Sequence, residues 1–582
     1  HMKTTQHFLL FSLLAFMIQP VTGAEFHVSP SGNDSNPGSA DKPFRTLTAG
    51  RDAVRRINAA MSEDIVVYLH DGEHVLTEPV TFESRDSGHG GHKVIYCASP
   101  DKAPILTGGA RVTGWQLHDH GKNIYRAQVS KRPFRQLHID GVPAIRARTP
   151  NRESEADNGP YWPCKSVKNP KTRIRDEHWQ ACAACPESKR CQVEMVMVCQ
   201  WYHQRILIGS VSSLGAEVEI TPLHPEGKFN KELGFYRSNT FYFENALAFV
   251  DAPYEWHHDT DDGILYVALP KGANPENARV EIPVVNTLID IQGTAEAPVH
   301  DIEFRGLTFQ YTNWDQPTRE GVNMTQASQV IGGHQPDAMV VARHVRKLAF
   351  RGNTFRDSGA HGLEMFDADS CDIEGNQFYR IAANGIDIDA GGGANPTPDK
   401  QSVDVAVWNN HARQCGSHYS NGIFLMANNV RGLIVAHNLI HDMPYSGMQI
   451  GQQPGGLKDV GCGDNQILFN HVHDCTRIHG DGGGIYTLGG IQKGSLIAGN
   501  FIHDIHQPQG HYKIDYIYLD NFTSAITVRD NVVTGGKVAE RNGSRGNSLE
   551  NNGQKNPEIE KNAGIKPGYI PRPAQGRSAP GK

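Results

Sequence analysis

Residues 470–504 read NHVHDCTRIHGDGGGIYTLGGIQKGSLIAGNFIHD. The stretch opens and closes on one pattern, an Asn ahead of apolar residues and a His-Asp pair, with a glycine-led apolar segment between. The Asn recurs seven times, at Asn353, Asn376, Asn410, Asn438, Asn470, Asn500 and Asn531, spaced by 23, 34, 28, 32, 30 and 31 residues. Such a period is that of a solenoid of stacked coils, and the shortest interval approximates one bare coil. Short strands follow most of these asparagines: Gly362–Phe366, Gly385–Asp389, Gly422–Met426, Gly447–Gly451, Gly484–Leu488 and Tyr516–Asp520. Side chains alternate faces along a strand, so Leu363, Ile386, Ile423, Met448, Ile485 and Ile517 are expected to stack inside. Glu364, Asp387, Gln449, Tyr486 and Tyr518 then form an outward column.

The repeated Asn is read as an internal ladder, its amide hydrogen-bonding to equivalent turns above and below. His441-Asp442, His473-Asp474 and His503-Asp504 share one repeat position, which favours turn structure over catalytic dyads or metal ligands. Near the start, Phe26–Asn33 and Pro43–Arg55 suggest a strand and an amphipathic helix that caps the open end of the solenoid, followed by strands at Val66–Leu69 and Val80–Phe82. Between Arg111 and Pro283 the coil signals give way to short strands and turns rich in Trp, Tyr and Pro. The expected fold is therefore all-β: a right-handed parallel β-helix, a pectate-lyase-like solenoid, with an inserted β-sandwich-like domain. The boundaries read as 1–24 for a leader, 25–110 for the cap and first coils, 111–283 for the insertion, 284–540 for the main β-helix and 541–582 for a polar tail.

A chain of 582 residues with 60 glycines and a formal charge of −7 fits a turn-rich solenoid and argues against a basic nucleic-acid binder. His1 and Met2 read as a remnant of cloning. Lys3, the apolar run Phe8–Ile18 and small residues around Thr22–Ala24 then form a secretory signal peptide, so a periplasmic or secreted protein is expected. No later apolar run approaches the roughly 20 residues of a membrane span. Ten cysteines suit disulfides in an oxidising compartment. Cys182, Cys185 and Cys191 also have a zinc-like spacing, but a fourth ligand is not evident.

Several stretches resemble glycoside hydrolase family 141 and its relative family 120. FHVSPSGNDSNPG (26–38) and DKPFRTLTAGRDAVR (41–55) resemble the opening of carbohydrate-active β-helix enzymes. RQLHIDGVPAIRARTPN (135–151), WHHDTDDGILYVALP (256–270) and FRGLTFQYTNW (304–314) resemble the inserted domain of family 141 and its exit, and DGGGIYTLGG (481–490) and YIYLDNFTSAITVRDNVV (516–533) continue the match. The resemblance implies a glycosidase of fucosidase, xylanase or xylosidase type acting on an oligo- or polysaccharide; the residues point to no cofactor and no metal ligand, and metal dependence stays open. It points to Asp481 and Asp520 as the catalytic carboxylates and to Trp314 and Gln326 as wall residues. Two departures are visible: no His-rich segment follows the Asp520 strand, and Gly385–Asp389 carries two outward acids where the family pattern implies Arg or Gly.

Glycoside hydrolysis needs one carboxylic acid and one carboxylate. The repeat by itself offers a different pair, Glu364 and Asp387, one minimal coil apart and about 4.8 Å from each other if they point alike, with Asp389 on the same face. Gln449, Tyr486 and Tyr518 extend that face with groups suited to a sugar ring and its hydroxyls. Two rival readings share the architecture. One is a polysaccharide lyase, for which Lys493, Arg477, Lys513 and His437 are available as bases. The other is a carbohydrate-binding or adhesion solenoid that cleaves nothing.

Overall fold

The computed structural model describes residues 23–566 apart from 153–158, 169–170, 183, 225–238, 332, 389–400, 453–458 and 460. Three long sheets of parallel strands run the length of a β-helix, with 12, 13 and 10 strands. Each full coil gives one strand to each sheet, as Leu496–Ala498, Phe501–Ile505 and Ile517–Asp520 do. Their inward side chains form one continuous apolar core from Val28 to Val533.

The corner ahead of each ladder asparagine explains the repeat. Gly352, Gly375, Asn409, His437, Phe469, Gly499, Asp530 and Asn551 all have φ between +50° and +66°. Gly, Asn and Asp tolerate this left-handed turn best, and the next residue is the ladder Asn. Asn438 is typical: its Nδ2 donates to Asn470 Oδ1 at 2.9 Å and to the Val407 carbonyl at 3.0 Å, while its Oδ1 accepts from Asn410. The ladder runs one rung further than the sequence suggests, because Asn531 Nδ2 donates to Asn552 Oδ1 at 2.8 Å.

That rung changes the expected C-terminal boundary. Strands Val538–Glu540 and Ser548–Glu550 still pair in the solenoid sheets, so the coils continue past residue 540. Helix Pro557–Asn562 follows, and Gly564 N then bonds the Phe469 carbonyl, laying the chain back along the coils. At the other end, helix Leu47–Arg55 covers the first strand, capped by Thr46 Oγ1 accepting from Ala49 N. A Cβ at Gly50 would lie 2.9 Å from Val28 Cγ2, so this helix sits close against the end of the stack.

One inward residue differs from expectation. Leu425, not Ile423, pairs with Ile386 and Met448 in the core column. The strand there is led by Phe424 where its neighbours have Gly385 and Gly447, so aligning on Gly422 shifts the register by two residues. Ile423 packs instead with Ala327, Met426 and Tyr445 outside the coil.

The strands between Gly109–Arg111 and Val280–Pro283 lie outside the solenoid sheets, in sheets of four, five and nine strands with two apolar clusters of their own. Arg135, Arg146 and Arg205 neutralise the buried Glu194 and Glu244 inside this insertion. Strand Val322–Met324, from the loop that leaves the solenoid near Trp314, pairs antiparallel with the insertion strand Tyr202–Ser213. The insertion is thereby fixed over the 13-stranded sheet. The ten cysteines stand as free thiols, with Cys182 and Cys185 buried in the insertion and Cys191 exposed. Among the described residues, no group of three or more His, Cys, Asp or Glu side chains is arranged to hold a metal.

Candidate active site

Residues of the 13-stranded sheet that face the insertion stand in register from coil to coil: Val341, Glu364, Asp387, Met426, Gln449, Tyr486, Tyr518 and Ala539. The outward column expected from the repeat is thus present, with Met426 between Asp387 and Gln449.

Two coils supply a crossed arrangement of acids and tyrosines. Asp481 lies in a glycine turn just before strand Ile485–Leu488, with φ of +55°. A Cβ on Gly483 would come within 2.2 Å of the Asp515 carbonyl of the next coil, so the turn needs a glycine there to lie so close. Tyr518, from that next coil, reaches back and donates to Asp481 Oδ1 at 2.9 Å. Tyr486 reaches forward and donates to Asp520 Oδ2 at 2.6 Å. The two rings meet edge to face at 5.0 Å. Each coil's tyrosine therefore serves the other coil's acid.

The two acids have different surroundings. Burial, then the charge of Asp520, pushes the Asp481 carboxyl up to about 6, against the Tyr518 hydrogen bond and Arg541. Asp520 is buried and accepts from two donors, Tyr486 and, at 2.6 Å, Asn542 Nδ2. Arg541 is held nearby by Asp515 at 2.8 Å.

The long loop completes the wall. Gln326 Nε2 donates to the Tyr486 hydroxyl at 3.0 Å and approaches the Tyr445 hydroxyl at 3.4 Å, and Tyr445 donates to the Asp481 carbonyl at 2.8 Å. Ala327 and Ser328 hold left-handed backbone beside Gln326, at φ +49° and +57°. Gln449 is fully buried next to Tyr486 in the column, and neither of its amide atoms has a hydrogen-bond partner among the described residues.

Glu364 and Asp387 form a second, separate acid pair on adjacent coils. Burial, then Asp387, pushes Glu364 well above the carboxylate range. Asp387 accepts from Asn384 Nδ2 at 3.1 Å and has His361 Nε2 at 3.7 Å. Burial holds His361 down to about 3. Three coil spacings, about 14 Å, separate Asp387 from Tyr486 along the column. The loop lies over this interval, with Asn384 Nδ2 donating to the Ala327 carbonyl at 2.7 Å. The two pairs therefore do not converge on one bond.

Other expected residues fall differently. Trp314 is 1% exposed and packs against Tyr419, Ala382 and Ala383, so it supports the loop from beneath and does not line a wall. Asp389 lies outside the described residues. Of the four residues suggested as lyase bases, three are engaged elsewhere: Lys493 with Asp459, Arg477 with Asp442 and Asp474, and His437 with the Gly564 carbonyl. Tyr445 and Asn542 are the site residues that sequence reasoning missed.

Residues 122–271 match the GH141 insertion domain, and residues 341–462 match the right-handed β-helix region. A solved structure described as a glycoside hydrolase is similar over 94% of this chain and 100% of its own, at 25% identity and a TM-score of 0.84. The structure of XylC with xylose is similar over 89% of this chain and 70% of its own, at 14% identity and a TM-score of 0.47. Among curated sequences nothing matches. With the insertion, the solenoid and an end-to-end likeness to a glycoside hydrolase in one chain, the protein is a GH141-like right-handed parallel β-helix protein of the glycosidase class.

Proposed function

We propose that the chain hydrolyses a glycosidic bond of a fucosylated or xylan-derived glycan, with Asp481 as general acid and Asp520 as nucleophile or base. The observation that carries this reading is the crossed pair itself. Two acids from adjacent coils stand together, each hydrogen-bonded by the other coil's tyrosine, Asp481 biased toward its protonated form and Asp520 accepting from two donors, and a pair of carboxyl groups is what this chemistry requires. Tyr486, Tyr518, Gln326 and Gln449 supply rings and amides to a sugar. The leader-like apolar run at Phe8–Ile18 supports export to the periplasm or beyond. A second reading places the chemistry at Glu364 and Asp387, whose in-register positions on adjacent coils also suit an acid and a base.

The test uses the mature protein on fucosylated, xylan-derived and uronate-containing glycans, following reducing sugar and the absorbance of unsaturated products. Reducing sugar without unsaturation is expected. Asp481→Asn and Asp520→Asn should each lower kcat at least a hundredfold, in line with the roughly 10²–10⁴-fold contribution of a positioned acid or base. Activity that survives both substitutions but is lost in Asp387→Asn would move the site to the second pair. Unsaturated product would replace hydrolysis by lyase chemistry.

A further inference from the structure

The His-Asp pairs of the repeat form an array of their own on the 10-stranded sheet, away from the acids. His441, His473 and His503 stand in register on three successive coils. Their rings stack at 4.9 Å, tilted by 1° and 4°. In each, Nδ1 bonds the carboxylate of the following residue: Asp442 at 2.7 Å, Asp474 at 2.8 Å and Asp504 at 2.7 Å. A carboxylate can only accept from a ring nitrogen, so it fixes the proton on Nδ1 and leaves the Nε2 lone pair of the neutral ring free to act. Two further imidazoles stand two residues earlier on their strands. His411 brings its Nε2 to 2.9 Å from His441 Nε2, and His471 brings its Nε2 to 2.8 Å from His503 Nε2.

We infer that this imidazole ladder binds a divalent transition-metal cation of the zinc type, clamped between Nε2 atoms of adjacent coils at His411/His441 and at His471/His503. Each close nitrogen pair holds one proton in the metal-free protein, on Nε2 of His411 or His471, and a metal ion takes its place once that proton moves to Nδ1 of the same ring, so that every imidazole stays neutral. With Zn–N bonds of about 2.0–2.1 Å and tetrahedral angles, the two nitrogens need to stand about 3.3 Å apart, a small ring rotation from where they are. An imidazole whose other nitrogen donates to a carboxylate is the arrangement that orients metal-binding histidines and raises their basicity. Water would fill the remaining positions, and the rings of His441, His473 and His503 are 17–22% exposed and open to it. Of the cations nearby, Arg477 is bound by Asp442 and Asp474, His506 bonds Asp474, and Arg413 lies over the Tyr379 ring.

An ion in either clamp ties one coil to the next and stabilises the folded state by mass action. The test takes tag-free protein stripped with a chelator and titrates Zn²⁺, read by calorimetry and by thermal unfolding. Binding in the micromolar range is expected, with a rise in Tm that EDTA reverses. The double variant His441→Gln/His503→Gln should lose both effects while keeping the circular dichroism of the parent. Asp442→Asn with Asp504→Asn, which keeps every imidazole, should weaken binding tenfold or more. No binding below millimolar Zn²⁺, or unchanged binding in the histidine double variant, would overturn the inference.

Discussion

Asp481 owes its character to burial and to two neighbours of opposite effect. Burial and the Asp520 charge favour its protonated form, while the Tyr518 hydroxyl favours the charged one. A general acid must carry its proton, so kcat/KM is expected to fall about tenfold per pH unit above about 6. Tyr518→Phe removes the hydrogen bond that stabilises the carboxylate, and the alkaline limb should move upward, by roughly one unit. A pH profile of kcat/KM for parent and variant checks both, and a downward move would contradict this account of Asp481. Little of this was legible in residues alone. Tyr486 and Tyr518 follow from the period of two, but an Asp among glycines looks like any turn former, and Asp481 stands out only through resemblance. Asn542 repeats the left-handed turn of Asn521 one coil earlier, but its contact with Asp520 crosses between coils and leaves no mark in the spacing.

Among elements, the asparagine corner is the most regular and the most legible. Its spacing alone reveals the coils, because the same three hydrogen bonds are needed at every level. Asn438→Ala would strand the Val407 carbonyl and the Asn410 backbone N–H inside the wall. Buried groups left unpaired cost roughly 1–3 kcal/mol each, so a loss of about 3 kcal/mol is expected in urea unfolding. The strands are less legible than the corners. A glycine ahead of the inward residue marks most coils, but Phe424 takes that place in one, and Leu425 then replaces Ile423 in the core. The Asn552 rung was hidden because its flanks are polar: the last strand, Ser548–Glu550, is exposed at every residue.

At the scale of the whole molecule, the acids stand on the solenoid while part of what surrounds them belongs to the loop and the insertion. Strand Val322–Met324 joins the insertion sheet, and Gln326, two residues on, bonds Tyr486. Gln326→Ala should leave the fold intact and lower kcat/KM about tenfold, equivalent to the roughly 1.4 kcal/mol within reach of a single hydrogen bond. Steady-state kinetics beside circular dichroism would detect it, and an unchanged kcat/KM would remove the loop from the mechanism. That contact has a temporal side. Gln326 and Tyr486 are 160 residues apart in the chain, an interval a ribosome takes about 10–30 s to cover at ordinary elongation rates. The insertion and its loop leave the ribosome before the coils they will lean on exist. The wall must wait, already shaped, for a floor that is laid one coil at a time.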